Sequence, residues 1–234
     1  MSTRQPPVQQ PPPEQKLRLR YAKRGPARFT SHRDFGRALE RAIRRADLPM
    51  AYSSGFNPHP RISYASPSPT SASSEAEYVE LGLSEACDPA KVVGALNEVL
   101  PQGFEMLDAA VAVKESLGDL LQASDWEIRL NCDPSALSAA VAELLSREHL
   151  TVERMTKRGM RAFDVREAII SLEVVDDGVL RLRSHIGTPL VRPDDVVAAL
   201  RTIDETIPSE MLLNRLSQGP LKEGDIGDPL RPHN

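Results

Sequence analysis

Polar and apolar residues alternate in KLRLRYAK (16–23), the period of a half-buried strand. The next stretch, SHRDFGRALERAIRRA (31–46), changes to a helical period, with Ser31 placed to cap it and Asp34 three positions later, close to a capping box. Short strand-like pieces follow around residues 50–52, in RISYA (61–65) and in EYVELGL (77–83). Asp88 and Pro89 then start a helix that ends near the Pro101-Gln102-Gly103 turn, and FEMLDAAVAV (104–113) reads as a closing strand.

A second run follows a stretch poor in sheet formers, 114–124. It opens with the strand WEIRL (126–130), continues with a helix started by Asp133 and Pro134, and has a strand near 150–155. AIISLEVV and VLRLRS flank Asp177-Gly178 as a hairpin, and residues 193–203 form the last helix. Both runs fit one plan, βαββαβ, and predict an α+β fold of two tandem ferredoxin-like domains, 16–113 and 125–216, joined by the linker 114–124. CDPA before residue 90 and CDPS before residue 136 echo one another, either as traces of duplication or as ordinary helix starts.

Residues 1–15 hold five prolines and four glutamines with almost nothing apolar to bury, and residues 217–234 are rich in Gly, Pro and Asp. Both read as disordered tails. Between them, 234 residues at 40% apolar and 26% charged supply enough material for one large core or two small ones. There is no basic start leading into an apolar stretch and no run of eighteen apolar residues, so a cytoplasmic chain without a membrane span is expected. Cys87 and Cys132, the two cysteines, are too few and wrongly spaced for an iron-sulfur cluster, a zinc ribbon or a redox pair, and no metal or cofactor is assigned.

The net charge of -4 conceals an asymmetry. Residues 16–61 carry twelve Lys or Arg against Asp34, Glu40 and Asp47, a net +9, while residues 62–234 carry sixteen basic and twenty-nine acidic side chains, a net -13. On the first helix Arg33, Arg37, Arg41 and Arg44 fall within roughly 80° of one another, opposite Phe35, Ala38, Leu39, Ala42, Ile43 and Ala46. Arginine's planar fork suits bidentate phosphate contacts, so this ridge is either a solvated face or a track for a sugar-phosphate backbone. Lys16, Arg18, Arg20, Lys23, Arg24, Arg28 and Arg61, with few acids nearby in sequence, favour the polyanion.

Seven of the ten aromatic residues also fall here: Tyr21, Phe29, Phe35, Tyr52, Phe56, Tyr64 and Tyr78. Phe29, Phe35 and Tyr64 read as core. Tyr52 and Phe56 flank the loop SSGFNPHPRIS (53–63), where Gly55, Pro58 and Pro60 fix an irregular path and Asn57, His59 and Arg61 offer polar tips. Aromatic rings beside a cationic groove are what single-stranded RNA recognition uses. The RNA-binding candidates are therefore Arg33, Arg37, Arg41, Arg44, Tyr52, Phe56, Asn57, His59 and Arg61, with a purely structural turn as the other reading of the loop.

The stretch RYAKRGPARFTSHRDFGRALERAIRRADLPMAYSSGFNPHPRIS, with SSEAEYVELGL and LNEVLPQGFEML, resembles a bacterial family known as radical-SAM-linked proteins, densely over about residues 16–113 and more thinly through FDVREAIISLEV and VRPDDVVAAL. The family usually has Leu where this chain has Arg33, and a glycine-containing stretch where it has PSPTSASS (67–74). Family members are fused to a radical S-adenosylmethionine enzyme or encoded near one, so the resemblance implies an accessory role with a radical SAM enzyme on a separate chain. The three-cysteine cluster motif of such enzymes is absent here.

The function expected is a non-catalytic module that binds RNA, not DNA, for that partner, in RNA modification. Two other readings stand beside it. In one, His32 and His59 act as acid and base of a metal-independent ribonuclease, as tandem ferredoxin-like folds also occur in CRISPR RNA-processing nucleases. In the other, the chain is a protein-binding scaffold with no RNA affinity.

Overall fold

A computed structural model describes residues 9–157 and 159–232, and the chain folds as α+β in two compact units. The first takes in the described residues up to Thr70, Ser74–Gly118 and residues 230–232; the second takes in Ser71–Ser73 and, of Asp119–Pro229, the described residues. No helix among the described residues is long and apolar enough to cross a membrane.

The first unit runs β1 (Gln15–Lys23), a 3-10 turn (Gly25–Phe29), α1 (His32–Arg45), β2 (Ile62–Ala65), β3 (Ser73–Leu83), α2 (Pro89–Asn97) and β4 (Phe104–Val111), and the division between the units falls within the short α3 (Leu117–Leu120). Its strands lie in the order β4-β1-β3-β2 with antiparallel neighbours. Alternation along β1 and β3 sends Leu17, Leu19, Tyr21, Val79, Leu81 and Leu83 to one face, where Phe35, Leu39, Ala42 and Ile43 of α1 and Val92 and Leu96 of α2 close the core. Tyr21 stacks on Phe35 with centroids 4.2 Å apart. The opposite, strand face carries Arg18 paired in register with Glu80, and Lys16 with Gly82. The expected strand at 50–52 is reduced to two isolated bridges, Met50 with Leu83 and Tyr52 with Pro60.

The second unit runs β5 (Ala123–Leu130), α4 (Pro134–Ser146), β6 (Thr151–Thr156), β7 (Gly159–Asp164), α5 (Val165–Ala168), β8 (Ile169–Asp176), β9 (Val179–His185), α6 (Pro193–Ile203), β10 (Met211–Gly219), β11 (Leu221–Lys222) and β12 (Asp225–Ile226). Its main strands lie in the order β10-β5-β9-β8. Numbered within each unit, and leaving aside the β6–β7 hairpin, both orders are fourth, first, third, second. The strand expected near 150–155 exists as β6 but pairs with β7 in a hairpin of its own.

Three expectations about the ends and joints change. The segment 217–232 is structured: Ser217 to Gly219 complete β10, β11 pairs β12, and Leu230 is buried. Of the N-terminal tail, residues 1–8 lie outside the described residues, but Glu14 donates its backbone N–H to Leu83 O and Gln15 opens β1. The linker holds α3 and the first residues of β5. Asp88 caps α2 and Asp133 caps α4, each with Pro in the first turn, but α2 follows the third strand of its unit and α4 the first. The CDP echo is therefore helix-start chemistry, because duplicated segments would occupy equivalent positions.

Candidate functional site

Helix α1 forms where the 3.6 period predicts it. Ser31 Oγ accepts from Asp34 N at 3.2 Å and donates to the Asp34 carboxylate at 2.7 Å, so the first turn is tied from both sides. Phe35, Ala38, Leu39, Ala42 and Ile43 are buried, and Arg33, Arg37, Arg41, Arg44 and Arg45 are exposed. Arg37 lies 3.7 Å from Asp34, a weak contact between two exposed groups. Among the described residues no carboxylate pairs with Arg33, Arg41, Arg44 or Arg45.

Elsewhere in the basic stretch several of the cations are held. Lys16 Nζ and Arg18 Nε each lie 3.0 Å from a different oxygen of Glu80, and Arg18, 2% exposed, also donates to the carbonyls of Val113 and Glu115. Arg24 bonds Glu75 at 2.6 Å and also Glu105, which raises its pKa further. Buried Lys23 donates to Pro69 O at 3.2 Å. The neutralising acids come from β3 and β4, fifty to eighty positions away, where a local charge sum does not count them. What remains of the +9 stretch without a carboxylate partner among the described residues is Arg33, Arg41, Arg44 and Arg45 of α1, together with Arg20, Arg28 and Arg61.

The loop between α1 and β2 is a narrow ladder. Ser53 N donates to His59 O at 2.8 Å, His59 N to Ser53 Oγ at 3.0 Å, Arg61 N to Ala51 O at 2.8 Å, and Gly82 N to Arg61 O at 2.8 Å. Arg61 Nε donates to Tyr52 O at 3.1 Å. Gly55 sits at φ 130°, a left-handed region that favours glycine, at the tip with exposed Phe56 and Asn57. His59 and Arg61 line a pocket of about 320 Å³ with Ser53, Ser63, Lys16 and Glu80, and with Pro13 and Gly82. That pocket opens on the strand face, whereas the arginines of α1 lie on the helix side. The ridge and the loop residues His59 and Arg61 therefore lie on two surfaces.

The aromatic residues divide differently from the sequence reading. Phe35 is buried and Tyr64 half-buried, but Phe29 is 64% exposed, with the Arg28 guanidinium 5.0 Å from its ring centroid. Phe29 stands two residues before the capping Ser31, at the start of the ridge, and its flanking arginine is the signal that could have marked it. Phe56 and Tyr52 are 62% and 43% exposed. Tyr64 meets the His32 ring edge-on with centroids 4.7 Å apart, and burial, then the charge of Glu40, pushes its phenol up to about 12. His32 thus sits on the helix side and His59 lines the strand-face pocket, so the two histidines are not brought together as an acid–base pair.

In the second unit His149 Nδ1 lies 2.6 Å from Asp164 Oδ2, and that hydrogen bond, with the charge of Asp164, raises the histidine's pKa. Asp164 also accepts from Leu150 N, Arg166 N and Glu167 N, as the cap of α5. Among the described residues no group of three or more His, Cys, Asp or Glu could hold a metal ion.

Residues 16–196 match the model of a family described as an uncharacterized protein conserved in bacteria (DUF2344). The chain belongs to this family. The span matched by the DUF2344 model covers the ridge, the loop and the strand-face pocket apart from Pro13, and ends in the second turn of α6. No curated protein matches the chain. Among solved structures, one similar chain belongs to a crystal structure of a Cbf5-Nop10-Gar1 complex, at TM-score 0.45 and 11% identity, with 88% of this chain and 50% of that one covered. The chain thus spans about half the length of that structural match.

Proposed function

We propose that this protein is a non-catalytic RNA-binding module that serves a separate radical SAM enzyme in the cytoplasm. The observation that carries the RNA reading is the division of labour among the cations: Lys16 and Arg18 of β1 are taken up by Glu80 and Arg24 by Glu75 and Glu105, while Arg33, Arg37, Arg41 and Arg44 stay exposed along one helix. A row of exposed guanidinium groups on one helix, of which only Arg37 has a weak carboxylate contact, with Phe29 exposed at its start, fits backbone tracking with a ring available for stacking. The link to a radical SAM enzyme rests on the sequence resemblance alone. The shared strand order, with each first and second strand separated by the third, supports reading both units as ferredoxin-like.

Binding of the whole protein to cellular RNA at two salt concentrations tests this. The logarithm of the affinity falls with that of salt by about 0.7 per phosphate contact for single strands, and the Arg37→Ala/Arg41→Ala protein binds more weakly with a shallower slope. RNA binding that is absent, or indifferent to salt and to the double substitution, overturns the reading and leaves the protein-binding scaffold.

A further inference from the structure

We propose that the pocket on the strand face of the first unit is a separate binding site for a phosphomonoester. Three observations lead there. The first is charge. Lys16 and Arg61 line the pocket with a single carboxylate, Glu80, whose two oxygens are already occupied by Lys16 and by the buried Arg18 behind it at 3.0 Å each. Glu80 therefore has little left to offer an incoming cation, and the pocket keeps a positive excess that favours an anion.

The second is the state of Arg61. One N–H, at Nε, is used to hold Tyr52 O, which fixes the plane of the guanidinium. Among the described residues no acid pairs with it, so its remaining donors are available to a ligand in the fork geometry that suits phosphate. Lys16, with its ammonium engaged by one carboxylate oxygen and its side chain more than half exposed, has further donors on the same pocket.

The third is construction. The Ser53–His59 and Ala51–Arg61 backbone bonds hold the loop as a closed ladder, and Gly82 N donates to Arg61 O, tying the loop to β3. Gly82 forms the floor: a Cβ there would lie 3.0 Å from Arg61 Cβ and 3.3 Å from Pro13 Cβ. Ser53, Ser63 and His59 add polar side chains around a volume of about 320 Å³, the scale of a mononucleotide and too small for a folded partner. None of this involves the arginines of α1, so the site goes beyond the RNA-tracking reading and stands or falls separately.

The phosphomonoester has two possible sources, a free small molecule or the 5′-end of an RNA. Calorimetric titration of the whole protein with inorganic phosphate, adenosine 5′-monophosphate, and a dinucleotide with and without a 5′-phosphate separates them. Binding of the monophosphate identifies a small-molecule site; binding of the phosphorylated dinucleotide alone identifies an RNA end; both support the site. Arg61→Gln is expected to weaken binding about tenfold, as loss of one charge-assisted bond does, while Arg37→Ala/Arg41→Ala leaves it unchanged. Lys16→Gln, at an exposed position, gives a second reading should the Arg61 variant unfold, with the same direction of effect. No binding of phosphate, the monophosphate or the phosphorylated dinucleotide up to about 10 mM, binding of the unphosphorylated dinucleotide as tight as that of any phosphomonoester, or equal binding by the wild type and both pocket variants, overturns the proposal.

Discussion

Glu80 accepts from Lys16 and from Arg18, and the second of these is buried. Burial pushes the Glu80 carboxyl up, but the hydrogen bonds and charges of Lys16 and Arg18 outweigh it and hold the pKa below the ordinary carboxylate value. Removing this partner leaves a buried guanidinium with carbonyls only, so Glu80→Ala is expected to cost about 3–5 kcal/mol in urea unfolding, and Lys16→Ala less than about 1 kcal/mol. Because the folded pKa is depressed, the contribution of Glu80 is complete above the unfolded value of about 4.3 and is lost as the pH falls through the folded one. At the residue scale the sequence exposes half of this logic. The helical period separates the arginines of α1 from Phe35 and Leu39, as the structure has them. It says nothing of which cations in β1 are spent, because Glu80, Glu75 and Glu105 come into register only when the sheet forms. Phe29, expected in the core, is exposed, and the sequence hides this for a related reason: a lone aromatic carries no sign of which way its turn faces.

Among the elements, the hairpin of β8 and β9 is the clearest case of local chemistry dictating structure. Asp177-Gly178 marks the turn, and Gly178 adopts φ 68°, which an L side chain enters at a cost of about 1–2 kcal/mol. A Cβ at 178 would also lie 2.2 Å from Leu130 O, a backbone atom that cannot step aside cheaply. Gly159, at the start of β7, has φ 100° but open space around it. Gly178→Ala is therefore expected to destabilise by more than about 2 kcal/mol and Gly159→Ala by only about 1 kcal/mol, compared by chemical denaturation. The same contrast explains what the sequence hides. β7, GMRAFD, buries only Phe163 fully, so it shows no alternation to read, and β10 is followed by so much Gly, Pro and Asp that its end merges with a tail-like composition. Elements that bury one full face announce themselves by period; a hairpin held by a single buried pair, Val152 with Phe163, does not.

For the whole molecule the path of the chain matters more than the count of its elements. The first unit is not finished when the chain leaves it after Gly118: residues 230–232 return to it. Leu230 is 2% exposed, and Arg231 bonds both oxygens of Asp108, at 2.6 and 3.1 Å. That hydrogen bond, against the opposing effect of burial, lowers the Asp108 pKa, with the charge of Arg20 contributing least. One leucine among Gly, Pro, Asp and Arg has no period, which is why the segment reads as disordered in the sequence although it closes a unit begun more than two hundred residues earlier. The ion pair joins groups that are about a third or more exposed and is worth at most about 1 kcal/mol, so the apolar contact should dominate. Leu230→Ala is then expected to lower stability by about 2–4 kcal/mol, and Arg231→Ala by about 1 kcal/mol or less. Urea unfolding of both variants, followed by tyrosine fluorescence, checks the ranking: all four tyrosines, Tyr21, Tyr52, Tyr64 and Tyr78, lie in the first unit, and the one tryptophan, Trp126, lies in the second. A Leu230→Ala protein that unfolds at the wild-type midpoint would mean that the returning segment only lies on the surface; a fall confined to the tyrosine signal shows that the far end of the chain stabilises the unit bearing the arginine ridge and the pocket.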